Sequence, residues 1–165
     1  MTTKIYYFFL FYDTIHKEGK YMIKIICIGK LKEKYLKDGI DDYLKRISKY
    51  HKIEIIELPD SNIDEEGNNI LKHINNKDYI ISLCIEGEEL SSIQLSNKID
   101  KTFVTNPCIT FIIGGSDGIR EDIKNKSNYK LSFSKLTYPH GLFRLVLLEQ
   151  IYRSFKILNN ETYHK

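Results

Sequence analysis

Four apolar runs, MIKIICIG, KIEIIEL, DYIISLCI and CITFIIGG, recur along the chain with amphipathic stretches between them. Runs this rich in isoleucine are strands buried on both faces, and such strands occur where helices cover both sides of a parallel sheet. Helical spacing fills the gaps, as in Leu36, Ile40, Tyr43, Leu44 and Ile47, and Ser91 or Ser92 supplies a hydroxyl cap for a later helix. Pro59 stops the second strand, Asp60 to Asn69 reads as an acidic loop, and a short helix is predicted around Ile70 to Ile74. The pattern predicts another short helix near Ile119 to Lys126, a last strand from Leu131 to Leu136, and a long closing helix after Pro139. About five strands separated by helices predict an α/β fold, a mostly parallel sheet with helices on both faces. With no internal repeat or linker, residues 22–165 read as a single domain.

Ahead of Met22, the apolar run from Ile5 to Tyr12 is much shorter than the roughly 20 residues of a membrane-spanning helix. It also lacks a signal-peptide cleavage site. Lys17-Glu18-Gly19-Lys20 would be encoded by a purine-rich tract like a bacterial ribosome-binding site, so translation is expected to start at Met22, with residues 1–21 a non-native or mis-annotated extension. The net charge of +3 is small, but Lys30, Lys32, Lys34, Lys37, Lys45, Arg46, Lys49 and Lys52 crowd one segment. That segment reads either as a phosphate-facing surface or as a solvated helix face. Cys27, Cys84 and Cys108 sit in apolar runs, are odd in number and form no C-x-x-C spacing. Buried thiols in a reducing, cytoplasmic compartment are the inference, and the histidines add no metal-ligand spacing.

Chemistry concentrates near the C-terminus. His140 and Arg144 stand four apart on one helical face, and Glu149 and Arg153 repeat that spacing on the opposite side. Leu142, Phe143, Leu145, Val146, Leu147, Leu148, Ile151, Phe155 and Leu158 cover more of this helix than one core-facing stripe needs, which predicts burial by a second copy in a homodimer. Earlier, Gly114-Gly115-Ser116-Asp117-Gly118 follows a buried strand, where glycines let backbone groups approach a ligand. It is neither a dinucleotide fingerprint nor a P-loop, which disfavours a nucleotide-dependent oxidoreductase. Glu86-Gly87 also follows a strand, and Phe133 to Tyr138 leads into Pro139-His140, so three strand ends are expected around one pocket.

KLKEKYLKDGIDDYLKR, ISLCIEG, FIIGGSDG, LSFSKLTYPH and LLEQIYRSFKI with the terminal YHK, in that order, resemble the ribosomal RNA large subunit methyltransferase H family from Met22 to Lys165. The resemblance implies a SPOUT-class, trefoil-knotted homodimer. It also implies S-adenosylmethionine-dependent methylation of N3 of a pseudouridine in large-subunit ribosomal RNA, with the assembled ribosome as the expected substrate. The implied cofactor residues are Leu83, Gly114, Phe133, Ser134, Lys135, Leu136, Thr137 and Tyr138. Arg153, His164 and His140 are the candidate catalytic residues, and Lys30, Lys32, Lys34, Arg144 and Tyr163 the candidate RNA contacts. Two departures from the family pattern are a short segment between Pro59 and Gly67, and Gly141 in place of a bulkier residue after Pro-His. The alternative reading is a non-catalytic RNA- or ribosome-binding module, favoured by the basic segment alone.

Overall fold

A computed structural model describes residues 21–165; the expectations for residues 1–20 lie outside the described residues. Five strands, β1 (Met22–Ile28), β2 (Lys52–Leu58), β3 (Asp78–Glu89), β4 (Cys108–Ile113) and β5 (Tyr129–Ser132), form one sheet in the order β2-β1-β4-β3-β5. All its pairings are parallel. The helices are α1 (Lys34–Ile47), α2 (Ile63–Lys72), α3 (Ser92–Thr105), α4 (Glu121–Lys126) and α5 (His140–Leu158).

The sheet is dry on both faces, as its isoleucine content requires. Ile23, Ile25, Phe111 and Ile81 pack against α1, α3 and α5, while Ile26, Ile28, Ile80 and Ile112 pack against α2 and α4. At the amino-terminal end of the sheet, the one lysine inside β1 is neutralised. Buried Lys24 donates to Asp78 (3.0 Å) and to the His73 carbonyl (3.0 Å), and Thr110 donates to the same carboxylate (2.9 Å). Tyr21, assigned by sequence to the extension, packs its ring 5.3 Å from that of Phe103, so the folded domain includes it.

Three elements differ from the sequence expectations. The acidic stretch expected as a loop is the first half of α2, whose Asn62 side chain caps Asp64 N and Glu65 N. Asp64, Glu65 and Glu66 lie in its first turn, where the helix dipole favours negative charge. Gly67 sits inside this helix because the Arg120 guanidinium packs there; a Cβ would come within 2.6 Å of it. The third strand continues past Glu86-Gly87 to Glu89, with its register to β5 shifting between Leu83 and Glu88. A Cβ at Gly87 would lie 2.6 Å from the Leu131 carbonyl carbon, so glycine permits that close pass. In turn β5 stops at Ser132, and residues 133–138 form an irregular connection where alternation had predicted strand.

The breadth of the apolar surface on α5 also has a source within the chain. Buried Leu147, Leu148, Ile151 and Phe155 face the sheet and the flanking helices, and Leu145 approaches Gly39 of α1. On the other flank, Ser92 bonds Gln150 (2.8 Å) and Ser96 bonds the Ser154 carbonyl (3.2 Å). The long helix is thus wedged between α1 and α3. Leu142 remains exposed, near the similarly exposed Leu136 and Tyr138 of the connection before it.

Candidate active site at the carboxyl ends of the strands

A cavity of about 430 Å³ opens where β4 and β5 end, beside the stretch of β3 where its register shifts, a volume within the ~300–1,000 Å³ of small-molecule sites. Buried Leu83, Ile113 and Leu131 line it, Leu83 just before that register shift and the other two at or near the carboxyl ends of β4 and β5. One wall is the glycine loop. A Cβ on Gly114 would lie 2.3 Å from the Gly118 carbonyl oxygen, and one on Gly115 would touch both Glu66 carboxylate oxygens at 3.0 Å. Gly118 has φ of +81° and closes the turn through its N–H to the Gly115 carbonyl (3.1 Å).

The opposite wall is the 133–138 connection, folded on itself by Ser132 Oγ donating to the Ser134 carbonyl (3.1 Å) and Leu136 N donating to Ser134 Oγ (3.0 Å). Phe143 anchors it from α5, edge-on to Phe133 at 5.2 Å and stacked on Tyr138 at 5.6 Å. Of the eight expected cofactor residues, Leu83, Gly114, Phe133, Ser134, Leu136, Thr137 and Tyr138 line the cavity. Lys135 does not. Its ammonium donates to the Ile85 carbonyl (3.3 Å) at an exposed position.

Other lining residues were not legible in the sequence. Cys84 lines the cavity half-buried, in contrast to the fully buried Cys27 and Cys108. Burial raises the pKa of all three thiols, Cys27 to about 12, so none offers a thiolate near neutral pH. At the rim Lys124 donates to Glu86 (2.6 Å), a bond that raises the lysine pKa and lowers that of the acid. Glu66 stands behind the glycine loop with Ser61 N donating to it (3.0 Å); desolvation raises its pKa, and the charge of Asp60 adds to the shift. Among the described residues no group of three or more His, Cys, Asp or Glu stands together as a metal site.

Pro139 and His140 close the cavity at the start of α5. The imidazole lies over Gly29 (φ +84°), where a Cβ would come within 2.9 Å of Nε2. Gly141, one of the two departures from the family pattern, admits Leu31 and Leu36, which a Cβ there would meet at 3.0 and 3.1 Å. One turn on, Arg144 corrects the expectation of an RNA contact. Its side chain is 0% exposed, with Nη2 donating to the Ile28 (2.7 Å) and Gly29 (2.6 Å) carbonyls and Nη1 to Glu57 (2.6 Å). Periodicity placed it on a polar edge of α5, but the ends of β1 and β2 cover that edge.

The second polar edge forms a separate cluster. Arg153 donates to Glu149 Oε1 from Nε (3.0 Å) and Nη2 (2.5 Å), and this bond raises its pKa. The Arg153 guanidinium also lies 4.7 Å from the Tyr163 ring centroid, and its Nη1 is 3.4 Å from His164 Nδ1. Tyr163 donates its hydroxyl to Glu149 (3.1 Å) and sets its ring against Tyr152. Through these contacts Tyr163 anchors the tail to α5. Arg153 and His164 are absent from the cavity lining. Thirteen residues of helix separate Arg153 from His140, roughly 20 Å at 1.5 Å per residue.

A parallel sheet with a glycine-walled cavity at its strand ends, closed by an irregular connection and a C-terminal helix, places the chain among the SPOUT methyltransferases; residues 21–164 match the family model described as "Predicted SPOUT methyltransferase", and the chain belongs to that family. Within it, the chain groups with the ribosomal RNA large subunit methyltransferase H proteins. It is 49% identical to the Clostridium botulinum (strain Langeland) protein of that name, over 87% of this chain and 99% of that one. A Methanococcus maripaludis protein, named a putative ribosomal RNA large subunit methyltransferase H, is 47% identical over the same shares. The fold also matches the solved structure of a probable methylase family protein from Haemophilus influenzae, with a TM-score of 0.51, 12% identity, and coverage of 87% of this chain and 70% of that one.

Proposed function

We propose that the chain transfers a methyl group from S-adenosylmethionine to N3 of a pseudouridine in large-subunit ribosomal RNA, acting on the assembled ribosome as a cytoplasmic, trefoil-knotted homodimer. The observation that carries the reading is the cavity itself. Its glycine wall leaves no room for a Cβ at Gly114 and little at Gly115, and the rest of its lining mixes apolar side chains with a few polar ones. Adenosine and a methionine chain need such a lining, with a few backbone hydrogen bonds, and the residues present fit them. When bound, the cofactor supplies an electrophilic methyl group on a sulfonium centre.

This chain's residues then have three tasks. The cavity walls orient the donor and exclude water, and Pro139-His140 sets the side from which an acceptor approaches. Loss of the N3 imide proton leaves negative charge on the uracil carbonyls, and a fixed cation stabilises that charge. Arg153 is that cation, with His164 and His140 as the groups placed to accept the proton. Because Arg153 and its own cavity stand roughly 20 Å apart along α5, a second copy supplies Arg153 and the Tyr163-His164-Lys165 tail to each cavity.

Changing Arg153 to Ala is expected to lower kcat for ribosome methylation by roughly 100-fold or more, with cofactor affinity nearly unchanged. Single-turnover transfer of labelled methyl, run beside calorimetric cofactor titration, makes the measurement. Glu149→Gln loosens the tail but keeps the cation, so it should lose far less. An Arg153→Ala enzyme with near wild-type turnover rules out the role.

RNA docking falls to the exposed Lys30, Lys32 and Lys34 around the start of α1. Alanine at Lys32 or Lys34 should weaken ribosome binding and reduce the slope of log affinity against log salt by about 1 each. An unchanged slope in filter binding would place the RNA elsewhere.

A further inference from the structure

A second depression, of about 630 Å³, lies on the far side of Pro139 and His140 from the cofactor cavity. Among the described residues those two alone line both spaces. The depression runs between the β1–α1 turn and the start of α5. Leu31, Leu36 and Leu142 give it apolar walls, and Lys30 and Lys32 stand at its edge. Tyr35 also lines it. This residue occupies the first turn of α1, is 70% exposed and belongs to neither core cluster.

The geometry points to this groove as the seat of the acceptor nucleobase, with Tyr35 as the ring on which the base stacks. The inference rests on the methyltransferase reading and adds to it where the uracil-type base sits and what holds it. A base taken out of an RNA strand loses its stacking neighbours, and an exposed aromatic ring beside a cationic edge is how proteins replace them. The mixed charge of the lining favours a base over a phosphate. Glu33 and Asp60 line the groove together with the lysines. A carboxylate accepts from the N1–H of a pseudouridine, which the reaction leaves in place, but repels a phosphate, which leaves the phosphates to the lysine edge. Tyr35 and His140 line the same depression, and His140 also lines the methyl donor's cavity, so a base stacked on Tyr35 would lie in the groove that shares this wall with the donor.

The test compares Tyr35→Ala and Tyr35→Phe with the wild type, using ribosomes from cells lacking this activity as substrate. Loss of the ring should lower kcat/KM by roughly 10- to 100-fold, while phenylalanine keeps it within about twofold, since stacking needs the ring and not the hydroxyl. Cofactor titration and light scattering should give wild-type values for both variants, as the side chain touches neither core nor cofactor cavity. If Tyr35→Ala methylates ribosomes within threefold of the wild type, the stacking role is wrong. If it instead changes the oligomeric state, the groove belongs to an interface between copies and the proposal falls. A wild-type chain that binds cofactor but transfers no methyl to ribosomes overturns the parent reading, and the groove assignment with it.

Discussion

Replacing Arg144 with methionine is expected to lower the stability of the domain by about 3 kcal/mol, although methionine suits the helix and nearly fills the volume. The guanidinium holds three groups from two other strands: the Ile28 and Gly29 carbonyls at the end of β1, and Glu57 in β2. The two carbonyls would be left without their partner where water has little access, at about 1–3 kcal/mol for each group that stays unsatisfied. Glu57 adds less, because its side chain is 35% exposed and rehydrates. Lysine should recover only part of the loss, since one ammonium cannot span both carbonyls and the acid. Urea unfolding makes the measurement: at an m-value of about 1.5 kcal/mol/M the midpoint should fall by roughly 2 M. A drop below about 1 kcal/mol would mean that water or neighbouring groups replace the guanidinium. Function should follow, because the same contacts press the first turn of α5 onto Gly29 and so set the Pro139-His140 wall.

The parts of the fold legible in the sequence are those where local pattern and tertiary burial agree. In β1, β2 and β4 the apolar run and the strand coincide; β1 and β4 are covered on both faces, so nearly every side chain there is buried, while the edge strand β2 keeps Lys52 and Glu57 exposed. Where the two disagree, pattern fails. Asp64, Glu65 and Glu66 look like a solvated loop, but they are the dipole-matched first turn of α2 under an Asn62 cap. The register shift between Leu83 and Glu88 lengthens β3 and shortens β5, and no periodicity in either segment encodes it. Arg144 marks a deeper limit, since helical spacing shows which side of α5 is polar but not that the ends of β1 and β2 close over it.

The candidate site divides in the same way. At Phe133 to Tyr138 the alternating pattern reads as strand through Leu136, but the chain there is an irregular connection, so the placement of the segment at the pocket is legible in the sequence and its conformation is not. Cys84, Lys124 and Phe143 reach the cavity only through tertiary geometry. Gly114 was suggested by composition and is explained by distance.

Even the smallest side chain at Gly114 is expected to weaken cofactor binding severely. A Cβ there would sit 2.3 Å from the Gly118 carbonyl oxygen, 2.4 Å from its carbon and 2.9 Å from Ile119 Cγ1. Two of those atoms are backbone, so no rotamer relieves the overlap, and the loop must move away from the cavity floor. The hydrogen bond from Gly118 N to the Gly115 carbonyl, which fixes the loop's shape, would move with it. Gly114→Ala should therefore weaken S-adenosylmethionine binding by roughly 100-fold or more, about 2.7 kcal/mol, and Gly114→Val should leave none measurable by calorimetry. Gly118→Ala is the informative comparison. No atom lies within 4 Å of a Cβ at that position, so its only cost is the positive φ, about 1–3 kcal/mol of backbone strain. It should lower the melting temperature while retaining more of the cofactor affinity than Gly114→Ala. The sheet and its helices do not depend on the loop, so the circular dichroism of Gly114→Ala should match that of the wild type. If Gly114→Ala binds the cofactor as tightly as the wild type does, the cavity is not the cofactor site, because no ligand seated against that wall could ignore its displacement.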